Sequence, residues 1–307
     1  MSRQVTVQNK DILFHADDYG VTKEQSCKIL ECYKNGVLNS ISVIPNSPAL
    51  SECLQILDDV DKDKKIRRVL HLNFVEGKPL ADKDKVDMLI DETGCFNRSF
   101  VQILKWNYTL HGEKREKLKN QLKNEISAQV DAVTKVCDYC ISAIDAHQHY
   151  HMIPIVLDAL MEVLDEKGMS IEEIRIPVDP VAPLLRTRDI RKPQIINFAK
   201  WGILKFYERR NRKRLKERNI SCPVFFGIFY TCEMKYDIVS ELLPKYKKYA
   251  QRKNEKLELM FHPGNLTARY ELLDERSDEL AEFYMSENRF AEAECMKRLL
   301  DIYKEGL

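Results

Sequence analysis

The histidines of this chain are concentrated in one short stretch, residues 145–152, which reads Asp-Ala-His-Gln-His-Tyr-His-Met. It holds three of the 7 histidines, at alternating positions. An apolar lead-in and the nearby Pro154 predict a short buried strand that ends here, so Asp145, His147 and His149 should point the same way. Imidazole beside a carboxylate suits Zn²⁺ or a similar divalent ion, which favours a metal site over a histidine-rich surface loop.

A pair of neighbouring carboxylates, Asp17 and Asp18, follows a predicted first strand over residues 11–16. The Tyr19-Gly20 dipeptide indicates that the strand has already ended, which would let both side chains reach one site. Two ionised carboxylates repel each other, and a divalent cation beside them removes that cost. One could then bind the cation while the other accepts a proton; an Asx-type turn is the alternative explanation.

Composition sets the broad class of the protein. The 307 residues are 44% hydrophobic and 32% charged, with a formal net charge of +1, which gives no general attraction to nucleic acid or an anionic membrane. No signal-peptide pattern and no membrane-spanning apolar run is expected. The 9 cysteines are odd in number and scattered, which predicts a reducing compartment and a cytoplasmic protein. Cys137 and Cys140 form a lone C-x-x-C, best explained as helix-end cysteines.

The elements that must position these side chains alternate between strands and helices. Strand signals occur at residues 11–16, 37–45, 69–74, 140–144, 174–177, 224–230 and 257–262, and helical patterns at 22–35, 50–57, 114–136, 153–167 and from 278 onward. This order predicts an α/β fold, a distorted (β/α) TIM-like barrel of about seven parallel strands. The whole chain, 1–307, is expected to be a single domain, with a loop or lid insertion at 81–112.

Polar residues stand at or near the carboxyl ends of six of the proposed strands, which a parallel barrel would bring to one face. They are Asp17 with Asp18, Asn46, His71, Asp145 with His147, Arg175, and His262. A ligand set of Asp, His and His leaves coordination positions open for water and substrate, as catalytic sites do. A histidine such as His262 could act as a general acid, which amide hydrolysis needs because an amine leaves poorly unless it is protonated.

Several of these motifs occur together in one known family. They are His15-Ala-Asp-Asp-Tyr-Gly20, His71-Leu-Asn73, Glu76-Gly-Lys-Pro-Leu80, the 145–152 stretch, Arg175-Ile-Pro177 and His262-Pro-Gly264. In this order, and over residues 15 to 264, the chain resembles the YdjC-type carbohydrate deacetylases, which include the chitooligosaccharide deacetylases. It departs from their pattern at His15 and Ala146, and neither departure removes a proposed ligand.

The resemblance implies a (β/α) barrel of fewer than eight regular units that hydrolyses the N-acetyl group of an amino sugar with one divalent metal ion, Mg²⁺ or Zn²⁺. Matched position by position, Asp18, His71 and His147 would hold the metal. Asp17 would be the general base and His262 the general acid. The other polar residues of these strand ends and motifs are expected to bind substrate or to support the ligands: Asn46, Asn73, Asp145, His149, His151 and Arg175.

Two other functions compete with this interpretation. Metal-dependent phosphoester hydrolysis also uses Asp and His clusters on barrels, although two metals and more carboxylates would be expected. Nucleic-acid binding is suggested by the basic stretch 205–218. That stretch is better explained as a solvated helix that packs on the barrel through Ile203, Phe206 and Leu215, so nucleic acid is not the expected partner. The expected partner is a small acetylated sugar, and a homodimer is possible.

Overall fold

Seven parallel strands form one sheet in the computed structural model, which describes residues 11–136, 141–187, 192–269 and 272–305. Cys137 and Cys140, which were predicted to be helix-end cysteines, lie outside these residues. The sheet order is β5-β4-β3-β2-β1-β7-β6, and an isolated parallel bridge between Glu173 and Ser221 links the two edges. The distorted barrel of about seven strands is therefore confirmed. The strands are β1 Ile12–Tyr19, β2 Ser40–Val43, β3 Arg67–Leu72, β4 Ala143–Ala146, β5 Glu173–Ile174, β6 Val224–Phe226 and β7 Leu257–Phe261.

Helices cover the outside of this sheet. Amphipathic spacing places apolar side chains such as Ile29 and Leu54 against the strands. Thr22 caps the first helix, because its side chain accepts a hydrogen bond from the Gln25 backbone N–H. None of the described helices is long and apolar enough to cross a bilayer. The helices are α1 Lys23–Lys34, α2 Leu50–Val60, α3 Phe100–Thr109, α4 Gly112–Val136, α5 Pro154–Glu166, α6 Ile195–Glu217, α7 Tyr236–Lys253, α8 Asp278–Tyr284 and α9 Glu287–Glu305.

The segment 81–112 differs from the expected loop. It contains α3, and the irregular part before that helix buries Val86, Leu89 and Phe96 in the main core. These side chains anchor the segment to the barrel. The segment therefore contains more ordered structure than a simple loop, and its role as a lid insertion stays a prediction.

The basic helix α6 also packs differently from the prediction. Ile203 and Phe206 are 38% and 75% exposed, whereas Leu204 and Tyr207 are buried. Of the three predicted contacts only Leu215 is buried. The buried face thus keeps Leu215 but has Leu204 and Tyr207 where Ile203 and Phe206 were expected, each one position further along the helix.

The inner face of the sheet is polar, and this face carries the site. In the parallel register His15 lies opposite Ser40, and His71 lies opposite Asp145. Paired residues of neighbouring strands point to the same face, so these side chains meet inside the barrel. The alternate residues of the same strands, such as Phe14, pack under the helices. Strand alternation thus separates an apolar outer core from a polar interior.

Buried polar side chains of α4 hold the loop that follows β3. Gln129 accepts a hydrogen bond from the Asn73 backbone N–H at 2.9 Å and donates to the Asn73 carbonyl at 2.5 Å. Glu125 accepts from the backbone N–H groups of Leu80 and Ala81. The loop between β3 and residue 81 is therefore fixed to α4 at both of its ends.

We expect Gln129→Leu to destabilise the protein by about 1–3 kcal/mol, because it leaves the buried Asn73 amide and carbonyl without partners. Urea unfolding followed by circular dichroism would measure this. Asn120→Ala, an exposed position on the same helix, is the control and should unfold within about 0.5 kcal/mol of the wild type. Equal midpoints for the Gln129 variant and the control would contradict this role.

Candidate metal centre and active site

A local change of backbone conformation directs both Asp17 and Asp18 into the barrel. The pairing of β1 with β2 shifts register between Ala16 and Tyr19, and Asp18 has a φ of 66°. The strand therefore does not end before the pair, as the sequence had indicated. It continues to Tyr19, and one left-handed residue cancels the strand alternation, so that both carboxylates are buried in the interior.

Asp18 lies between two of the predicted histidine ligands. Its Oδ1 atom is 3.0 Å from His147 Nδ1 and 3.5 Å from His71 Nε2. Ligand atoms about 2.0–2.1 Å from a tetrahedral Zn²⁺ are about 3.3 Å apart, so this spacing suits a metal ion. His71 Nε2, which faces Asp18, is buried and makes no hydrogen bond within the part of the chain that the structure describes. The three residues thus form a cluster that could hold a metal ion.

Asp145 orients the His71 ring. Its Oδ1 atom is 2.6 Å from His71 Nδ1, which directs Nε2 toward Asp18. A carboxylate behind a histidine ligand is a common arrangement at metal sites. Burial lowers the pKa of His71, but attraction and hydrogen bonding by Asp145 and Asp18 outweigh it and raise the pKa to about 10. His71 is therefore protonated at pH 7.

Arg175 occupies the centre of the barrel interior. Its Nη1 and Nη2 atoms donate to both oxygens of Asp17, at 2.9 and 2.8 Å. Nη2 is also 2.7 Å from Asp145 Oδ2 and 2.6 Å from Glu258 Oε1. Burial raises the pKa of Asp17, but the Arg175 charge and a hydrogen bond from His15 hold it well below its usual range. Asp17 is therefore ionised, and Arg175 fixes its orientation.

A second group of potential ligands, His15, Asp17 and Asp145, also comes close together. The Arg175 guanidinium already bridges its two carboxylates. His15 in turn hydrogen-bonds the hydroxyl groups of Ser40 and Ser42, at 2.7 and 2.6 Å. The guanidinium thus supplies the positive charge that a metal ion would supply here. The polar atoms of His15, Asp17 and Asp145 already have protein partners.

His262 lies across from Asp17, at the end of β7. Its Nε2 atom is 3.9 Å from Asp17 Oδ2, and its ring meets the edge of Phe283, with ring centroids 5.4 Å apart. Its backbone N–H donates to Glu292 Oε2. Burial lowers the pKa of His262 to about 4, against the pull of Asp18 and Asp17. The ring is therefore neutral at pH 7.

The three histidines of the 145–152 stretch have three different surroundings. The strand ends at Ala146, and a short 3₁₀ segment follows in which Gln148 and His149 have φ values of 48° and 63°. The expected alternation of Asp145, His147 and His149 was therefore wrong. His147 reaches Asp18, His149 meets the Phe225 ring edge-on, and His151 Nε2 is 2.8 Å from the Arg175 carbonyl oxygen.

Asn46 and Asn73 do not touch the Asp18 cluster, and they hold the loop that carries Glu76. Both side-chain amides donate to the Glu76 carbonyl at 3.0 Å, and Asn73 also donates to Asn46 Oδ1 at 2.8 Å. Glu76 Oε1 lies 3.3 Å from His147 Nε2 and accepts a hydrogen bond from Tyr284 at 2.6 Å. The two asparagines therefore contribute to the site through the position of Glu76.

Sequence reasoning missed several buried charged residues that border the site. Glu258 interrupts the apolar strand Leu-Glu-Leu-Met-Phe, and a charge in a buried strand was a usable signal. The charged residues of α9 carry no comparable signal, because in the sequence they resemble ordinary surface positions. The residues missed are Glu76, Glu258, Arg289 and Glu292.

Comparison with known proteins agrees with this geometry. A family model described as YdjC-like protein matches residues 11–298, which include every predicted site residue. The chain belongs to the YdjC-like protein family. The resemblance inferred from the motifs is thereby confirmed.

Named relatives of this YdjC-like chain are carbohydrate deacetylases. One from Thermoanaerobacter pseudethanolicus is 31% identical over 162 residues, 53% of this chain and 59% of the relative. One from Danio rerio is 24% identical over 164 residues, 53% of this chain and 49% of the relative. The chain thus spans about half the length of the curated relatives it matches.

A solved structure shares the fold of this YdjC-like chain. It is a protein from Enterococcus faecalis V583 that carries the provisional name of cellobiose-phosphate cleavage protein. The two chains superpose with a TM-score of 0.64 at 19% identity, over 96% of this chain and 94% of the other. The likeness supports the seven-stranded architecture.

We expect metal binding to release about one proton per cation at pH 7, because the raised pKa keeps His71 protonated until a cation replaces the proton. Titration calorimetry of the metal-stripped protein in buffers of different ionisation enthalpy would count that proton. The release should disappear as pH rises through about 10. His111→Ala, at an exposed histidine, should leave the count unchanged, whereas a heat independent of buffer would contradict the assignment of His71.

Proposed function

We propose that this chain is a metal-dependent carbohydrate deacetylase that removes an N-acetyl group from an amino sugar or its oligomer and releases acetate. The observation that carries the proposal is the buried Asp18, His71 and His147 cluster, with Asp17 and His262 beside it. The name carbohydrate deacetylase, given to its relatives, supports the same reaction.

Asp18, His71 and His147 would hold one divalent ion. Two imidazoles and one carboxylate favour Zn²⁺ over Mg²⁺, which prefers oxygen ligands. When bound, the ion would acidify a water molecule and polarise the acetyl carbonyl group. Asp145 would keep the His71 ring oriented for this role.

Asp17 and His262 would move the protons of the reaction. Ionised Asp17 can accept the proton of the attacking water molecule, and Arg175 and His15 hold its carboxylate in place. The proton can then pass from Asp17 to His262, whose Nε2 atom lies 3.9 Å from Asp17 Oδ2. His262, charged in this way, can protonate the departing sugar amine.

We further propose that the protein acts in the cytoplasm on a small acetylated sugar and forms a homodimer. The seven cysteines in the described part of the chain are unpaired, as in a reducing compartment. Exposed apolar side chains on α6, at Ile195, Phe198 and Phe206, offer a surface for a second copy. Sedimentation analysis would test the dimer.

The alternative functions have less support. Phosphoester hydrolysis with two metals would need a second set of carboxylate ligands. The nearest candidates are Asp17 and Asp145, and the Arg175 guanidinium already binds both. On α6, ion pairs with acidic neighbours offset much of the positive charge that nucleic acid would need, as in Lys205–Glu208 and Arg214–Asp158.

We expect metal-stripped protein to recover acetate release from N-acetylated sugars when Zn²⁺ or Co²⁺ is restored, and less so with Mg²⁺. A coupled acetate assay over monosaccharides and chitooligosaccharides would measure it and would narrow the substrate. Absence of acetate from every sugar, with metal demonstrably bound, would contradict the deacetylase proposal. Phosphate release from sugar phosphates would then support the phosphoester alternative.

We expect Asp18→Ala and His147→Ala to lose the metal, because each removes a ligand. Asp17→Asn should keep the metal and lower kcat by about 10²–10⁴-fold, since it removes only the proton acceptor. Elemental analysis of the purified variants separates the two classes. Full turnover by Asp17→Asn would refute its assignment as the base, and retained metal in Asp18→Ala would refute the ligand set.

A further inference from the structure

The C-terminal helix α9 carries two fully buried charged residues, Arg289 and Glu292, both with 0% of their surface exposed. They stand three positions apart and so lie on one face of the helix. Burying a guanidinium is costly unless its donors are all satisfied, so the contacts of Arg289 indicate what the burial achieves.

Arg289 binds one oxygen of the candidate metal ligand Asp18. Its Nη1 and Nη2 atoms lie 3.3 and 3.2 Å from Asp18 Oδ2, and its Nε donates to the Gly264 carbonyl at 3.1 Å. The guanidinium also stacks against the Phe283 and Tyr284 rings, 4.7 and 4.8 Å from their centroids. These contacts hold the guanidinium in place, and its two Nη atoms hold Asp18 Oδ2.

The two oxygens of Asp18 consequently have different partners. Oδ2 is held by Arg289, whereas Oδ1 faces His147 Nδ1 and His71 Nε2. A carboxylate free to rotate could offer both oxygens to a cation. Because both Nη atoms of Arg289 hold Oδ2, only Oδ1 is directed at His71 and His147.

We propose that Arg289 is a positioning residue of the metal centre, which restricts Asp18 to one-oxygen coordination and keeps a coordination position free. The inference rests on the proposed metal site, and it adds α9 to the elements that build that site. An outer hydrogen-bond partner of a metal ligand typically changes metal affinity by about 10- to 100-fold.

The direct test is the Zn²⁺ affinity of metal-stripped variants, measured by competition with a chromophoric chelator and without any substrate. We expect Arg289→Lys to weaken binding at least about tenfold, because an ammonium keeps the charge but cannot hold Asp18 Oδ2 and the Gly264 carbonyl together. An affinity within twofold of the wild type, or a tighter one, would overturn the proposal.

Two further variants of α9 distinguish a loss of Asp18 positioning from a general loss of helix packing. Met296→Ala shortens an equally buried side chain of α9 that packs in the main apolar core. Arg298→Lys makes the same chemical change as Arg289→Lys at an exposed position. Both should keep Zn²⁺ affinity within about twofold of the wild type, at a temperature well below the melting point of each apoprotein. A loss in Met296→Ala equal to that in Arg289→Lys would assign the effect to packing of α9.

A structure of the zinc-loaded wild type gives a test that does not depend on how the variants fold. We expect Asp18 to bind the ion through Oδ1 alone, with Oδ2 still on Arg289; two-oxygen coordination would overturn the proposal. A wild type that binds no metal would instead contradict the proposed function. Zn²⁺ binding that is lost in Asp18→Ala but unchanged in Arg289→Lys would contradict this inference alone.

Discussion

The interior of this barrel depends on one buried guanidinium. Arg175 lies among Asp17, Asp145 and Glu258, and its planar group of five donors can satisfy all three carboxylates at 2.6–2.9 Å. Three unpaired carboxylates in this volume could not all remain ionised, since burial and mutual repulsion would protonate some of them. The Arg175 charge therefore makes a polar barrel interior possible where an apolar one is usual.

A chain of contacts leads from Arg175 to the candidate metal centre. Because Arg175 takes one oxygen of Asp145, the other is available to the His71 ring, and that ring faces Asp18. Arg289 then binds the other oxygen of Asp18, Oδ2. Two neighbouring aspartates thus have separate arginines, one for the proposed proton acceptor Asp17 and one for the proposed metal ligand Asp18. This separation lets adjacent residues take different roles in the proposed reaction.

The backbone is distorted where the proposed chemistry requires it. Asp18 and His149 both have a positive φ, a conformation that costs side-chain-bearing residues of order 1–3 kcal/mol unless the surroundings impose it. At Asp18 the distortion brings two consecutive carboxylates to one face of a strand. At His149 it turns the chain, so that His147 stays with Asp18 while His151 supports the Arg175 carbonyl.

Much of the architecture was predictable, because strand and helix periodicity are local properties. The alternation of apolar runs with amphipathic segments predicted the seven-stranded barrel, and clustering at strand ends brought His71, His147 and Asp18 together correctly. The failures lie where local and tertiary preferences compete. Segment 81–112 seemed aperiodic because its apolar residues are irregularly spaced, and α6 buries Leu204 and Tyr207 in place of the predicted Ile203 and Phe206.

The sequence by itself determined which residue types are the candidate ligands and their order along the chain. It also determined the end of the barrel at which they gather, because parallel strands bring their carboxyl ends to one face. Only the tertiary structure decided which charges pair. Arg289 and Asp18 are separated by 271 positions, and Arg175 and Asp17 by 158. No local pattern marks such pairs, because a buried arginine and a surface arginine look alike in sequence. What distinguishes them is the set of partners that folding brings within 3.3 Å.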